Sequence, residues 1–171
     1  INKECKIIVI ACNTATTRCI KYLRDKYKDM TFVGTEPAIK VACDRDYNNI
    51  LVMATPATIS SERTNILVHD NKKDFENIYL VPCEGLANAI EVNDTVKQEK
   101  IVSSIYEEYK DKEIDAIVLG CTHYPHIKEL ISKYFVNASL LDGGNGVARE
   151  VKRQLELKGN LSNLGNCNVE L

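Results

Sequence analysis

The chain has 171 residues, 44% of them hydrophobic and 27% charged, with a formal net charge of -2. That length can bury the core of one domain or of two small lobes, and the balance is that of an ordinary globular protein. The near-neutral charge argues against nucleic acid or an anionic membrane surface as a partner, and no apolar run approaches a membrane span.

The chain opens on Ile1 and enters the apolar run KIIVIAC (6–12) almost at once, as expected of a chain that lacks its beginning. Further runs follow: TFVGT (31–35), ILVMAT (50–55), IYLVPC (78–83), DAIVLGC (115–121) and SLLD (139–142). They are rich in Ile, Val and Leu without alternation, which predicts strands covered on both faces. Helical spacing fills the intervals over 14–27, 37–46, 60–68, 94–110, 125–134 and 146–157. Pro37 and Pro125 suit first helical turns, where the missing N–H costs nothing. The segment HDNKKD (69–74) reads as a loop, and the Asn/Gly-rich tail after Lys158 as a mobile or incomplete element. Strands alternating with helices predict an α/β fold with mainly parallel sheets.

Seven cysteines are present: Cys5, Cys12, Cys19, Cys43, Cys83, Cys121 and Cys167. Their odd number and the lack of a CxxC pair argue against a disulfide framework and a zinc ribbon. Several lie in strand runs, where a reduced cysteine acts as a small hydrophobe. A reducing, cytoplasmic setting is expected.

In open α/β sheets, ligands bind beyond the carboxyl ends of the strands. Those ends carry Cys12-Asn13-Thr14, Thr55-Pro56-Ala57-Thr58, Pro82-Cys83-Glu84 and Cys121-Thr122-His123. Thiols, hydroxyls and an amide dominate, with no GxGxxG, no phosphate-binding loop and no carboxylate cluster for a divalent metal. Neither cofactor nor metal is expected. Two thiols before helices suit proton transfer at a carbon acid, because a helix N-terminus favours thiolate. Neutral donors such as Asn13, Thr14, Thr55, Thr58 and Thr122 could hold the developing negative charge. Thiols approaching from opposite faces would invert a stereocentre, one removing a proton and the other donating one. Among the other residues, His69 and His126 read as surface histidines and Cys83 as structural. DGGNG (142–146) reads as a turn into a helix, and the Lys/Glu-rich stretch around 98–112 as a solvated face.

ACNTAT (11–16) followed far downstream by GCTHYP (120–125) resembles the signature pair of the cofactor-independent glutamate racemases, within the aspartate/glutamate racemase superfamily. VGTEPA (33–38), ATPATISS (54–61), VPCEGLANAIE (81–91) and LLDGGNGVAREV (140–151) resemble further family blocks, in order. The resemblance implies a chain that interconverts L- and D-glutamate without a cofactor and supplies D-glutamate for peptidoglycan. It implies that Cys12 and Cys121 are the two acid/bases, facing the α-proton of D- and L-glutamate respectively. His123 would assist Cys121, and Asn13, Thr14 and Thr122 would hold the substrate's α-carboxylate and amino group. Thr55 and Thr58 would line the pocket, with Glu91 a further polar helper. Two flavodoxin-like lobes are implied, residues 1–38 with 144–171 and residues 39–143, with the site between them. The partner implied is a small molecule, glutamate, and the family leaves room for a homodimer. The family's opening DSGxGG strand has no counterpart here, so the first lobe is expected to be N-terminally incomplete, with an unpaired edge and an impaired Cys12. The alternatives are a catalytically impaired remnant and a related racemase acting on another amino acid.

Overall fold

The computed structural model describes residues 5–74 and 77–162. Its first unit is β1 (Ile7–Ile10), α1 (Asn13–Lys26) and β2 (Thr31–Gly34), the two strands pairing in parallel from Ile7 opposite Thr31 to Ile10 opposite Gly34. The chain then passes through α2 (Ile39–Asp44) into a second sheet. There β3 (Asn49–Ala54), α3 (Pro56–Ile59), α4 (Glu62–Asn71), β4 (Asn77–Pro82), α5 (Leu86–Glu91), α6 (Thr95–Tyr109), β5 (Ala116–Leu119), α7 (Lys128–Tyr134) and β6 (Ser139–Asp142) follow in turn. A final helix, α8 (Gly144–Leu157), returns to pack on β2 and β1. The second sheet has the strand order β4-β3-β5-β6, and every pairing is parallel. This α/β architecture with parallel sheets is the one expected, and all six expected strands are present.

The second sheet forms the main core because its central strands are covered on both faces. Along β3, Leu51 and Met53 join Val81, Leu86, Val102, Ile117 and Tyr124 on one face. Ile50 and Val52 join Ile39, Ala42, Val118 and Leu141 on the other. The period of two along a strand distributes these residues, and full burial on both sides explains the unbroken apolar runs. The smaller sheet is less covered: Val9 in β1 is 42% exposed.

The helices depart from expectation in detail. The helix expected over 60–68 is preceded by the separate turn of α3, capped by Thr55, while α4 is capped by Ser61 and runs on to Asn71 into the expected loop. Pro37 lies ahead of α2 rather than in its first turn; Ala38 is the N-cap, and the Pro37 carbonyl accepts from the Ile39 N–H. Pro125 does occupy a first turn, that of the 3-10 segment Tyr124–Ile127. The short α5, unforeseen, starts after Gly85, whose φ of 72° lies in the left-handed region that glycine tolerates. α6 is N-capped by Asp94 and buries Gln98, Val102 and Ile105, so only its other face is solvated. Cys167 and most of the tail expected to be mobile lie outside the described residues.

Candidate active site

Cys12 is the N-cap of α1, with extended backbone (φ -153°, ψ 123°), and its Sγ accepts a hydrogen bond from the Ala15 N–H at 3.4 Å. A cap position satisfies one of the helix's otherwise unpaired N–H groups, here with a sulfur in place of the usual oxygen. One residue on, Asn13 is only 4% exposed. Its Oδ1 is buried and finds no hydrogen-bond partner among the described residues. Thr14 reaches across to the second sheet, with its hydroxyl 2.8 Å from that of Thr55 and 3.1 Å from that of Thr58. The Thr55 and Thr58 hydroxyls lie 3.0 Å apart, closing a triangle, and Thr55 also accepts from the Thr58 N–H as the N-cap of α3.

Cys121 follows β5 at the equivalent end of the second sheet and is 8% exposed. Its burial raises the thiol above its ordinary pKa, against the N–H groups of His123, Tyr124 and Thr122, which favour thiolate. Cys12 is close enough that its charge also opposes ionisation of Cys121. The helix-end effect expected to make this thiol more acidic is therefore outweighed by desolvation. His123 stands beside it, Nδ1 being 3.7 Å from the sulfur, and the other ring nitrogen pairs with the Glu91 carboxylate. Glu91 thus orients the imidazole from α5, an element the sequence did not reveal.

A cavity of about 260 Å³ between the sheets is lined by residues that include Asn13, Thr35, Cys121, Thr122, Asp142 and Gly143. The structure therefore gathers Cys12, Asn13 and Thr14 with Thr55 and Thr58, and joins Asn13 to Cys121 and Thr122 through the cavity. His69 and His126 are exposed, and Cys83 is buried. Two cavity residues escaped the sequence reading. Thr35 follows β2, its hydroxyl donating to the Ile10 carbonyl at 3.1 Å. Asp142 ends β6, bonded by the Lys128 ammonium at 2.7 Å and the Gly144 N–H at 3.0 Å, which hold its carboxyl below the usual range. Both stand at carboxyl ends of strands, the signal that would have found them. Among the described residues, no three His, Cys, Asp or Glu side chains cluster to hold a metal ion, and no helix is long and apolar enough to cross a membrane.

Parallel sheets meeting at a cavity, with a thiol at a strand end of each, place the chain in a recognisable class. The family described as Asp/Glu/Hydantoin racemase matches residues 1–151, and the chain belongs to it. Among its relatives, the glutamate racemase of Clostridium perfringens is 40% identical over 161 residues, covering 91% of this chain and 61% of that protein. The glutamate racemase of Clostridium kluyveri is 41% identical over 180 aligned residues, 99% of this chain and 68% of its own length. The crystal structure of glutamate racemase from Francisella tularensis in complex with D-glutamate superposes with a TM-score of 0.78 at 28% identity, covering 96% of this chain and 62% of that one. The chain thus spans about three fifths of the length of the C. perfringens relative it matches.

Proposed function

We propose that this chain carries the reaction centre of a glutamate racemase, which inverts the α-carbon of glutamate by proton transfer between two thiols without a cofactor. The observation that carries this reading is the pair Cys12 and Cys121. Each follows a strand of a different parallel sheet, and the two are near enough for the charge on one to affect the other. Starting from D-glutamate, the Cys12 thiolate takes the α-proton and becomes a thiol. The Cys121 thiol gives its proton to the opposite face of the carbon and is left as thiolate. From L-glutamate the roles reverse. A Cys121 held neutral by burial is ready to donate, and the three backbone N–H groups around it stabilise the thiolate left behind.

The carbanion formed next to a carboxylate needs its charge spread onto fixed donors. Thr14, Thr55 and Thr58 offer hydroxyls, Thr122 a fourth, and Asn13 an amide. The buried, unpartnered Asn13 Oδ1 is suited to accept from the substrate ammonium. His123, oriented by Glu91, serves as the local proton partner of Cys121. In this reading, residues 1–38 with 144–171 form one lobe and 39–143 the other, and the enzyme supplies D-glutamate for peptidoglycan in the cytoplasm.

The test is incubation of the purified chain with D-glutamate and, separately, L-glutamate in heavy water, following the α-proton by NMR. Exchange with inversion is expected, lost in Cys12→Ala and in Cys121→Ala. A folded chain that exchanges neither enantiomer overturns the proposal, and faster exchange of aspartate than of glutamate reassigns the substrate.

A further inference from the structure

Cys12 and Cys121 stand at similar points of the two sheets, yet the strand ends that present them are closed in different ways. In the second sheet the closure runs from backbone to backbone. The Gly120 N–H, just before Cys121, donates to the Met53 carbonyl at 2.7 Å, and the Cys83 N–H donates to the Ala54 carbonyl at 2.8 Å. In the first sheet two buried hydroxyls take part. That of Thr16, a residue 1% exposed, stands between the strands, accepting from the Thr35 N–H at 3.0 Å and donating to the Ile10 carbonyl at 3.2 Å. That of Thr35, a residue 7% exposed, donates to the same carbonyl at 3.1 Å. Both lone pairs of the Ile10 oxygen are thereby used. The Thr35 methyl lies beside Gly143, in the link from β6 to α8, where an added Cβ would come 3.7 Å from it. A strand end can close without such hydroxyls, as the second sheet does, so two of them buried on one carbonyl call for a reason.

We propose that Thr35 is a positioning residue for Cys12: its hydroxyl, with that of Thr16, pins the turn from β1 into α1 and so holds the Cys12 sulfur at the helix end. The proposal rests on the reading of Cys12 as one of the two bases. The main chain around Cys12 is gripped at two points. Two residues before it, the Ile10 carbonyl takes both hydroxyls, and the Cys12 carbonyl itself accepts from the Thr16 N–H at 2.9 Å. Thr16 therefore holds the chain on both sides of Ala11, and the Thr35 N–H ties Thr16 to the end of β2. This grip fixes the bond from the Ala15 N–H to the Cys12 sulfur at 3.4 Å, through which the helix end favours a reactive thiolate. Sulfur is a weak acceptor, so that bond cannot hold the turn by itself, and the stronger oxygen bonds behind it do. Thr35 also lines the cavity with Asn13 and Cys121, so the clamp forms part of the wall around the space for the reacting carbon.

The experiment reads both thiols in one sample: alkylation of Cys12 and Cys121 by iodoacetamide in the purified chain, quantified by peptide mass spectrometry, with Cys121 as the internal reference. Thr35→Val keeps the methyl and removes the hydroxyl, whereas Thr35→Ser keeps the hydroxyl. In Thr35→Val, Cys12 is expected to react about threefold more slowly with Cys121 unchanged, because the bond to its sulfur is held for less of the time. Thr35→Ser is expected to restore the wild-type ratio of the two rates. In turnover, Thr35→Val is expected to lower kcat about tenfold in both directions with KM unchanged. Cys12 alkylated as fast as in wild type overturns the proposal. Faster alkylation of both thiols, the mark of a loosened core, does the same, as does a serine variant that rescues nothing. A raised KM with an unmoved ratio would make Thr35 a binding residue and also overturns it. Should Thr35→Val fail to fold, Thr35→Ala is read by the same ratio. A slowed Cys12 rescued by serine, in a chain whose wild type racemises nothing, upholds the positioning role and rejects the proposed function. Wild-type turnover with an unmoved ratio in Thr35→Val rejects the positioning role alone.

Discussion

Replacing Gly34 with alanine tests the join between α1 and β2, on which the placement of Cys12 depends. The added Cβ would come 2.4 Å from Thr16 Cγ2 and 2.6 Å from Ile20 Cδ1. Carbon atoms pack comfortably at about 3.5–4.0 Å, so more than about 1 Å of relief is needed. Ile20 can rotate its terminal methyl away. Thr16 is less free: its hydroxyl donates to the Ile10 carbonyl at 3.2 Å and accepts from the Thr35 N–H at 3.0 Å, tying α1 to both strands. The helix itself must shift, at the cost of about 1–3 kcal/mol typical of overpacking. For a chain of this size that corresponds to a fall of roughly 2–10 °C in Tm. Because Cys12 caps the same helix, a shift of that size also moves the thiol, and a misplacement of about 1 Å can lower turnover by about 100-fold. Thermal unfolding followed by circular dichroism gives the first quantity, and α-proton exchange in heavy water the second. The companion change Thr16→Ser removes the offending methyl while keeping the hydroxyl. Gly34→Ala/Thr16→Ser should therefore be more stable than the sum of the single variants by about 0.5–3 kcal/mol. A Gly34→Ala chain as stable as wild type, or additivity in the double variant, would mean that Thr16 does not hold α1 against the added Cβ.

Two further outcomes are expected. Glu91→Gln removes the carboxylate that holds His123; both side chains are more than one third exposed, so stability should change by less than about 1 kcal/mol. On the proposed mechanism Cys121 takes the proton of L-glutamate, so turnover from that enantiomer should fall about tenfold with KM unchanged, and steady-state rates in the two directions check this. Lys128→Met acts on the depressed Asp142. A carboxyl whose folded pKa is lowered adds stability that is present above the unfolded value and lost as pH falls through the folded one. Removing the ammonium narrows that gap, so the acid-unfolding midpoint should move to higher pH, as read by circular dichroism. An unchanged acid limb would show that the Gly144 N–H alone sets the Asp142 carboxyl.

What could be read from the sequence follows from what each element buries. β3 and β5 lie between two apolar layers, so almost every residue in them is apolar and the run is unmistakable. α5 has six residues and α3 four, too few for a helical period to declare itself, and both carry meaning only through contacts distant in sequence. Glu91 became a partner of His123 only once α5 was placed against the segment after β5. The direction of the Cys121 shift was equally hidden. Local sequence shows a helix start that favours thiolate, whereas the opposing desolvation comes from packing in three dimensions. Thr35 follows a strand and Asp142 ends one as plainly as Cys12 follows its own, yet neither sits in a motif rich enough in chemistry to attract notice.

The triangle of Thr14, Thr55 and Thr58 joins a helix of one sheet to the turn that leaves the other. Three hydroxyls own three protons, and a closed ring consumes them all. An incoming carboxylate can recruit a donor there only by opening the ring, so each bond it gains is exchanged for one between the sheets. Tight anion binding at that corner and tight packing of the sheets are thus competitors for the same protons. If the proposed substrate binds there, the ring is a clasp that it must undo, and the protein would give up part of its own cohesion each time it took hold of the carboxylate.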